Sequence, residues 1–524
     1  MHFISPAWRL SFILAIVSLN CLLATAAERS ALTAALESIR ADDLQAHVNV
    51  LADDTFEGRE AGSRGGRAAS GYLRKQFEKY GLHGAGADGG YYQPFDAGYR
   101  NLLGMLPGSD PELKKQVIVV GAHYDHVGYG SWNNSNGPTG YIHNGADDNA
   151  SGTAGLLEVI EALTRLPTAP KRSILFALWD GEEKGLLGSK HWVAEPTVPL
   201  RQVPIMINMD MIGRLRNKRL EVIGTRTSPG LRRLVSQRNQ QIGLELAFPW
   251  SLKDNSDHYS FYERDIPILL LHTGLHDDYH RPSDDAHKVN AQGMQEVVRL
   301  LLGVIDELSE RSQLAPFRAA SRNESGGDRR QFERPLRSPP PRLGVWWEQI
   351  KQPKPGLRLT RVVSGSPAEQ GGLKVGDVIE KFAGHRIDNE TQFRTAVLQA
   401  SGDTQVLVKR AGQEKPVPFT VRIPGKPVRL GIAWRENTAE PGVVTLVQVI
   451  PGSAAARAGL RLHDRIYQIN GRRFNNSNEF LQLATTLPSP LPMLLERHGR
   501  IKQVTLDVPP IPETKSNPPA AAKK

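Results

Sequence analysis

Residues 121–126, Gly-Ala-His-Tyr-Asp-His, follow the apolar run Gln116–Val120, which predicts a buried strand. A histidine at the end of such a strand can bind a metal. On an extended chain Asp125 falls on the same side as His123, where it can hold the ring nitrogen that the metal leaves free. Four later stretches bring similar side chains to similar places. Gly145-Ala-Asp-Asp-Asn-Ala-Ser-Gly152 opens a helix expected over 152–166. Leu175–Asp180 reads as a second buried strand and runs into Gly181-Glu182-Glu183. Ile205–Asp210 reads as a third strand, ending in a carboxylate, and Asp278-Tyr-His280 through Asp284 follows the apolar run Ile266–Leu271. Open α/β sheets bind ligands outside the carboxyl ends of their strands. Carboxylates and imidazoles gathered there repel one another or lose hydration unless a cation joins them.

Histidines and carboxylates without a thiolate suit zinc that keeps open coordination positions. Two metals roughly 3.5–4 Å apart can share a hydroxide and polarise a scissile carbonyl. Adjacent glutamates can then divide the work. One is held by metal, and the other is free to take the water proton and pass it to a leaving amine.

These five blocks, in this order, resemble the co-catalytic dizinc aminopeptidase family, whose relatives include glutamate carboxypeptidases and glutaminyl cyclases. The resemblance covers residues from about 45 to 308. It implies the zinc exopeptidase fold, an α/β fold with a mixed, mostly parallel sheet flanked by helices. It also implies two Zn2+ per chain: His123 and Asp210 on one, Glu183 and His280 on the other, Asp148 bridging both, and Glu182 as general base. Asp148 is chosen over Asp147 because the family's bridging Asp directly precedes the tail matched here by Asn149-Ala150-Ser151-Gly152. A non-proline cis peptide follows that Asp in many members. Asp125 and Asp284 match positions that support the ligands, and Tyr279 matches an oxyanion-stabilising Tyr of some members. His126 and His143 are not ligands in the family pattern and are expected at the surface or in support. Phe56–Arg59 lies near the site in the family, or is simply a Gly-rich turn. Ser256-Asp257-His258 matches a structural block, with His258 a hydrogen-bonded His rather than a further ligand. In the Gly/Asn/Ser loop 128–146, Trp132, Tyr141 and His143 could rim a pocket or pack locally.

Residues 1–27 read as a secretory signal. Arg9 supplies charge, Leu10–Leu23 an apolar core, and Ala24-Thr25-Ala26 a cleavage site. That core is shorter than the ~20 residues that span a bilayer, although an uncleaved anchor is the alternative. Cys21 is the only cysteine, and Ser18-Leu19-Asn20 before it is a poor lipidation context. Cleavage therefore leaves no disulfide and no stable membrane insertion, which fits a bacterial periplasm or the medium. The formal net charge of +10 is spread over 524 residues without a nucleic-acid motif, so no nucleic-acid partner is expected.

Residues 28–310 form the expected peptidase domain, 291–310 its closing amphipathic helix, and 311–341 a flexible linker rich in Arg, Ser, Gly and Pro. An internal repeat follows. Leu343-Gly344-Val345 recurs as Leu430-Gly431-Ile432, Gly365–Ala368 as Gly452–Ala455, and Asp377 and Ile379 as Asp464 and Ile466, each pair 87 residues apart. The two units, 342–424 and 427–509, resemble small β-rich PDZ domains of bacterial envelope proteases. The two Leu-Gly-Val/Ile turns match the carboxylate-binding loop, whose amides can capture a peptide terminus while the peptide adds a strand. The rival role is a spacer or docking surface. A disordered tail is expected over 510–524.

The combined expectation is an exported dizinc aminopeptidase acting on peptide substrates, with a PDZ pair for C-terminal peptides or envelope proteins. The same residues admit a zinc carboxypeptidase, a glutaminyl cyclase, or an envelope adaptor with a scaffold metal domain. Glu182 argues against the adaptor, because a scaffold needs no base beside a metal ligand.

Overall fold

The computed structural model describes residues 30–96, 98–337, 341–350 and 356–509. The signal, Cys21 and the tail lie outside them. The chain divides into two units, the first reaching Gly327 and the second, from Asp328, carrying the repeat.

The first unit opens with helical residues 30–38, then α1 (Ala41–Leu51) and α2 (Arg64–Lys79). Ser63 caps α2 by accepting the Gly66 amide at 3.0 Å. A nine-stranded sheet follows: β1 (His83–Gly84), β2 (Tyr92–Phe95), β3 (Tyr99–Leu106), β4 (Val117–His123), β5 (Ser173–Trp179), β6 (Met206–Met209), β7 (Arg219–Ile223), β8 (Glu245–Ala247) and β9 (Ile268–His272). Its order is β1-β3-β5-β4-β6-β9-β7-β8, with β2 beside β3. The centre, β5-β4-β6-β9, is parallel, whereas β3 and β7 run antiparallel to their inner neighbours.

Register positions the candidate residues. His123 pairs with Trp179, and Gly121 with Asn208, so β4, β5 and β6 end nearly level, just before Asp180 and Asp210. From β4 the chain passes to β5 on one side and then to β6 on the other, and this reversal of strand order opens a crevice at the carboxyl ends.

Alternation along β4 divides two cores. Ile118, Val120 and Ala122 face a cluster with α3 (Gly152–Thr164) and α4 (Ala291–Glu310), while Val117 and Val119 face Trp179, Trp192 and Phe261. On α4 the predicted apolar positions Val297, Leu300, Leu301, Val304, Ile305 and Leu308 are all buried. The segment Phe56–Arg59 is more than a turn. Arg59 is fully buried and donates to the carbonyls of Leu51 (2.6 Å), Tyr124 (2.9 Å), Asn144 (2.6 Å) and Gly145 (2.9 Å), tying α1 to both loops that carry site residues. Gly58 has φ +67°, and a Cβ there would lie 2.5 Å from the carbonyl oxygens of Gly128 and His143.

The expectation of a flexible linker over 311–341 fails for its described part. In the first unit Arg318 donates its amide to Thr227 (2.7 Å), and Arg226 and Arg318 both grip Glu324. In the second unit Glu333 meets the buried Arg465 at 3.3 Å, and the Leu336 amide donates to Val447 at 3.1 Å. Polar bonds hold this segment where apolar side chains are few.

The second unit holds two similar modules. The first comprises β10 (Val345–Ile350), β11 (Gly356–Val362), β12 (Val378–Phe382), β13 (His385–Arg386), β14 (Gly402–Lys409) and β15 (Val417–Ile423), with helix α5 (Glu390–Gln399). The second comprises β16 (Ile432–Arg435), β17 (Val444–Val449), β18 (Arg465–Ile469), β19 (Leu491–Arg497) and β20 (Arg500–Leu506), with α6 (Ser477–Thr486). Core residues Leu357, Ile379, Phe382, Phe393 and Val408 have counterparts Val444, Ile466, Ile469, Phe480 and Leu495. The ion pair Arg410–Asp377 recurs as Arg497–Asp464, each at 2.7 or 2.6 Å.

Arg59→Ala strips a donor from four buried carbonyls. Stability should fall by on the order of 3 kcal/mol or more in chemical denaturation, and Arg59→Lys should recover little, since one ammonium cannot reach all four acceptors.

Candidate functional site

All five expected ligands converge in the crevice. His123 ends β4, and Asp210 follows β6. Glu183 follows β5 through a turn begun by Gly181 at φ +72°. Asp148 precedes α3 across a peptide that is cis to Asn149, as the resemblance implies. His280 sits in the loop after β9. His123 Nε2 lies 3.3 Å from Asp148 Oδ1 and 3.5 Å from Asp210 Oδ1. His280 Nε2 lies 3.1 Å from both Asp148 Oδ2 and Glu183 Oε2. Asp148 thus offers one oxygen to each group.

The arrangement fits metal. Ligands held about 2.0–2.2 Å from a tetrahedral zinc sit roughly 3.4 Å from one another, close to the separations between these side chains. Among the described residues Asp210 Oδ1 is buried without a hydrogen-bond partner. His123, Asp148 and Asp210 present atoms within 4.8 Å of one another, as do His126, Asp148 and Glu183, and His123, Glu182 and Glu183. The donors are imidazole and carboxylate only, which is the zinc set with positions left for substrate.

Electrostatics of the bare site agree. Burial opposes a charge on His123 and His280, yet the facing carboxylates dominate. They hold the His123 pKa well above its ordinary value and that of His280 at about 10. Burial also works against an ionised Asp148, but His123 and His280 keep it well below the usual range. Burial and Asp148 oppose an ionised Glu183, while His126 and His280 pull it to about 2. Glu182 goes the other way. Burial, against His123 and with Glu183, Asp257 and Asp210, pushes it well above the ordinary Glu value. The two adjacent glutamates therefore differ as a ligand and a base should.

Support comes mostly from backbone amides. Asp125 accepts the amides of Glu182 (3.1 Å) and Glu183 (3.3 Å). This corrects the expected contact. His123 Nδ1 lies 3.2 Å from the backbone carbonyl of Asp125, whereas the carboxylate, engaged by the two amides, stands 3.7 Å away. Asp284 accepts the amides of Asp147 (2.9 Å) and Asp148 (3.1 Å). Tyr279 stacks on the His280 ring at 3.9 Å, and burial raises its hydroxyl pKa.

Of the two places open to His126, surface or support, the structure gives it the second. It is buried, with Nδ1 2.8 Å from Glu183 Oε1 and 3.9 Å from Asp148 Oδ2. Asp147, passed over as the bridging carboxylate, has a task of its own. It accepts the Gly213 amide at 2.6 Å and meets His276 Nε2 at 3.1 Å, joining the Asp148 segment to the His280 loop. Loop 128–146 splits. Trp132 and Tyr141 are exposed, whereas His143 is buried against Ser135 Oγ at 2.8 Å. His258 is buried outside the metal-binding groups, its pKa lowered by burial to about 4.

In the repeat, Gly344 (φ +78°) and Gly431 (φ +76°) occupy the expected carboxylate loops, and a Cβ at either would lie 2.3 or 2.2 Å from the Cβ of Ser366 or Ser453.

Residues 101–305 match the model of peptidase family M28, and residues 358–410 and 420–496 match PDZ domain models. A probable periplasmic serine endoprotease DegP-like of Marinomonas sp. is 33% identical over 167 residues, 28% of this chain and 35% of that protein. A probable leucine aminopeptidase of Arthroderma otae is 26% identical over 271 residues, 48% of this chain and 69% of that protein. The solved LapA aminopeptidase of Legionella pneumophila is 22% identical with a TM-score of 0.46, covering 55% of this chain and 75% of that one. The chain spans little more than a third of the length of the first bacterial relatives it matches, 38% and 35%.

A group whose pKa is raised on folding stabilises the protein below its unfolded value and loses that contribution as pH climbs through the folded one. For His280 in the metal-free protein this window runs from 6.5 to about 10. Metal must displace the histidine protons. Adding zinc to metal-free protein in weak buffer at neutral pH should therefore acidify the solution, and zinc affinity measured by competition with a chelating dye should rise from about pH 6 to about pH 8. Affinity independent of pH would contradict the assignment.

Proposed function

We propose that this chain, which carries a peptidase family M28 domain followed by two PDZ domains, is an exported zinc aminopeptidase that releases the first residue of peptides. The observation that carries this reading is the convergence of His123, Asp148, Glu183, Asp210 and His280, with the Glu182 carboxylate beside them and tuned apart from Glu183. His123 and Asp210 would hold one zinc, Glu183 and His280 the other, and Asp148 both. When bound, the two ions would lower the pKa of a water and polarise the scissile carbonyl. Glu182 would be the group that takes a proton from the attacking water and passes it to the leaving amine, a role suited to a carboxylate whose proton affinity is raised. Asp125 fixes the direction of Glu182 and Glu183 through their amides, and His126 Nδ1 steadies Glu183. Tyr279, stacked on His280, is the candidate donor to the oxyanion.

The name of the Arthroderma otae relative supports the aminopeptidase direction, and the periplasmic name of the Marinomonas relative supports export through residues 1–27. No helix among the described residues is long and apolar enough to cross a membrane. The PDZ modules are read as binders of peptide termini, through the loops at Leu343-Gly344-Val345 and Leu430-Gly431-Ile432.

Elemental analysis of the mature protein should find two zincs per chain, and aminoacyl anilides should be cleaved while their N-acetylated counterparts are not. Glu182→Gln should keep the zinc and lower kcat by about 10²–10⁴-fold. Undiminished turnover in that variant would remove Glu182 from the mechanism, and cleavage of the acetylated series would rule out the aminopeptidase reading.

A further inference from the structure

Within the second unit the two PDZ modules meet beside the carboxylate loop of the first. A cavity of about 480 Å³ lies there, within the size range of small-ligand pockets. Leu343, Gly344 and Val397 of the first module line it, and Val449, Ile450 and Pro451 of the second close it.

The junction is specific. Thr395 Oγ1 on α5 donates to the Gly452 carbonyl at 3.0 Å, and the Val428 amide donates to the Leu398 carbonyl at 2.9 Å. The Arg457 guanidinium donates to Thr395 Oγ1 at 3.0 Å. A Cβ on Gly452 would lie 2.4 Å from Arg394 Cβ, so a glycine is what allows this approach. The equivalent Gly365 of the first module has nothing within 4 Å of the same added atom. The contact therefore follows from where the second module sits, not from the repeated turn.

The cavity has the chemistry of a terminus site. Gly344 lies in the left-handed region, and among the described residues neither its amide nor that of Leu343 donates to a backbone carbonyl, leaving two donors on a concave turn that suits an anion. The walls are mainly apolar; of the two arginines among them, Arg342 donates to the carbonyls of Leu398 and Ala400 and Arg394 pairs with Glu390, so the anion is left to the backbone amides. Trp347 crosses from β10 to α5, edge-on to Phe393 at 5.1 Å, with the Arg394 guanidinium 4.7 Å from its ring centre.

Resting on the reading that these modules bind peptide termini, we propose that the first module takes the C-terminus of a partner polypeptide into a pocket that the second module completes. The free carboxylate lies on the amides of Leu343 and Gly344, and the apolar last side chain lies against Val397 on one side and Ile450 and Pro451 on the other. The pair then acts as one peptide-binding unit.

Fluorescence anisotropy on the full chain tests this, using an N-terminally labelled peptide that ends in Val with a free carboxylate. Amidating the terminus, or introducing Val397→Asp, should weaken binding about tenfold or more. Pro451→Glu should weaken it about fivefold or more at an unchanged melting temperature, because Pro451 is exposed and outside the core of its module. Ile450→Ala should give a smaller loss in the same direction. If neither second-module variant alters Kd while Val397→Asp does, the pocket belongs to the first module alone and the shared site is overturned, with the peptide reading intact. If Val397→Asp has no effect, the ligand sits elsewhere and the shared site falls. If neither peptide binds, or acid and amide bind alike, both readings fall.

Discussion

Enclosed negative charge at the ends of β4, β5 and β6 sets the terms for the rest of the first unit. Asp148, Glu182, Glu183 and Asp210 crowd one crevice, and the partners facing them are imidazoles. Bringing such groups out of water costs several kcal/mol per ion unless opposite charge repays it. Without metal, protons on His123 and His280 supply that charge, which is why their pKa values stand high while burial keeps Glu182 high as well. A divalent cation supplies the charge more compactly and frees the imidazoles to act as ligands. The sheet order matters because it provides a place for this crowd. Where β5 and β6 diverge from β4, the space above the strand ends is left for ligands.

Crowded carboxylates must also be aimed, and the chain does this with backbone groups. Asp125 grips the turn that carries both glutamates, and Asp284 grips the turn that carries Asp148. Asn149 ties that second turn to the third strand end, accepting the amides of Gly152 and Met211 and donating to the Met209 carbonyl. Arg214 couples Asp284 to Asp278, which also takes the Lys288 ammonium, so the His280 loop is bound into the same framework. Apart from His123, which ends β4, each candidate ligand stands on a loop fixed by such a partner. Such supporting groups set the direction of the candidate ligands.

Much of this was legible in the sequence because apolar runs announce strands and the chemistry lies where they stop. His123 and Asp210 were readable on that ground, and α4 was readable from its helical spacing. The choice between Asp147 and Asp148 was not, since both are acidic and adjacent. It came from the resemblance, and in the structure the two turn to different tasks, Asp147 toward Gly213 and His276 and Asp148 toward His123 and His280. His126 was expected only as a surface or supporting residue, and its partner was not legible. Its partner Glu183 lies 57 residues away on another strand end, and no local pattern encodes that meeting. The contact expected between the Asp125 carboxylate and His123 failed for the opposite reason. Strand alternation gave the correct side, but two amides of the turn after β5 compete for the same oxygens. The segment 311–337 was misread because low apolar content predicts freedom only when no polar partners wait. Here Arg226, Thr227, Val447 and Arg465 do.

The repeat shows how identical local rules permit unequal modules. Much of what holds one module together is present in both at the same spacing: the Asp–Arg pair, the apolar core and the glycine of the Leu-Gly-Val/Ile turn. The helix cap also recurs, with Asn389 and Asn476 each accepting an amide of the following helix. These are internal constraints, and a duplicated sequence carries them twice. Gly365 and Gly452 obey the same turn geometry, at φ +74° and +79°, yet only Gly452 is pressed against a neighbouring helix. The difference lies outside either repeat, in the order of the modules along one chain, so comparing the repeats by sequence alone makes them equivalent. An asymmetric surface can thus arise from a symmetric duplication without any change in the residues that fold each copy. The side chains that meet at the junction are then the ones free to diverge.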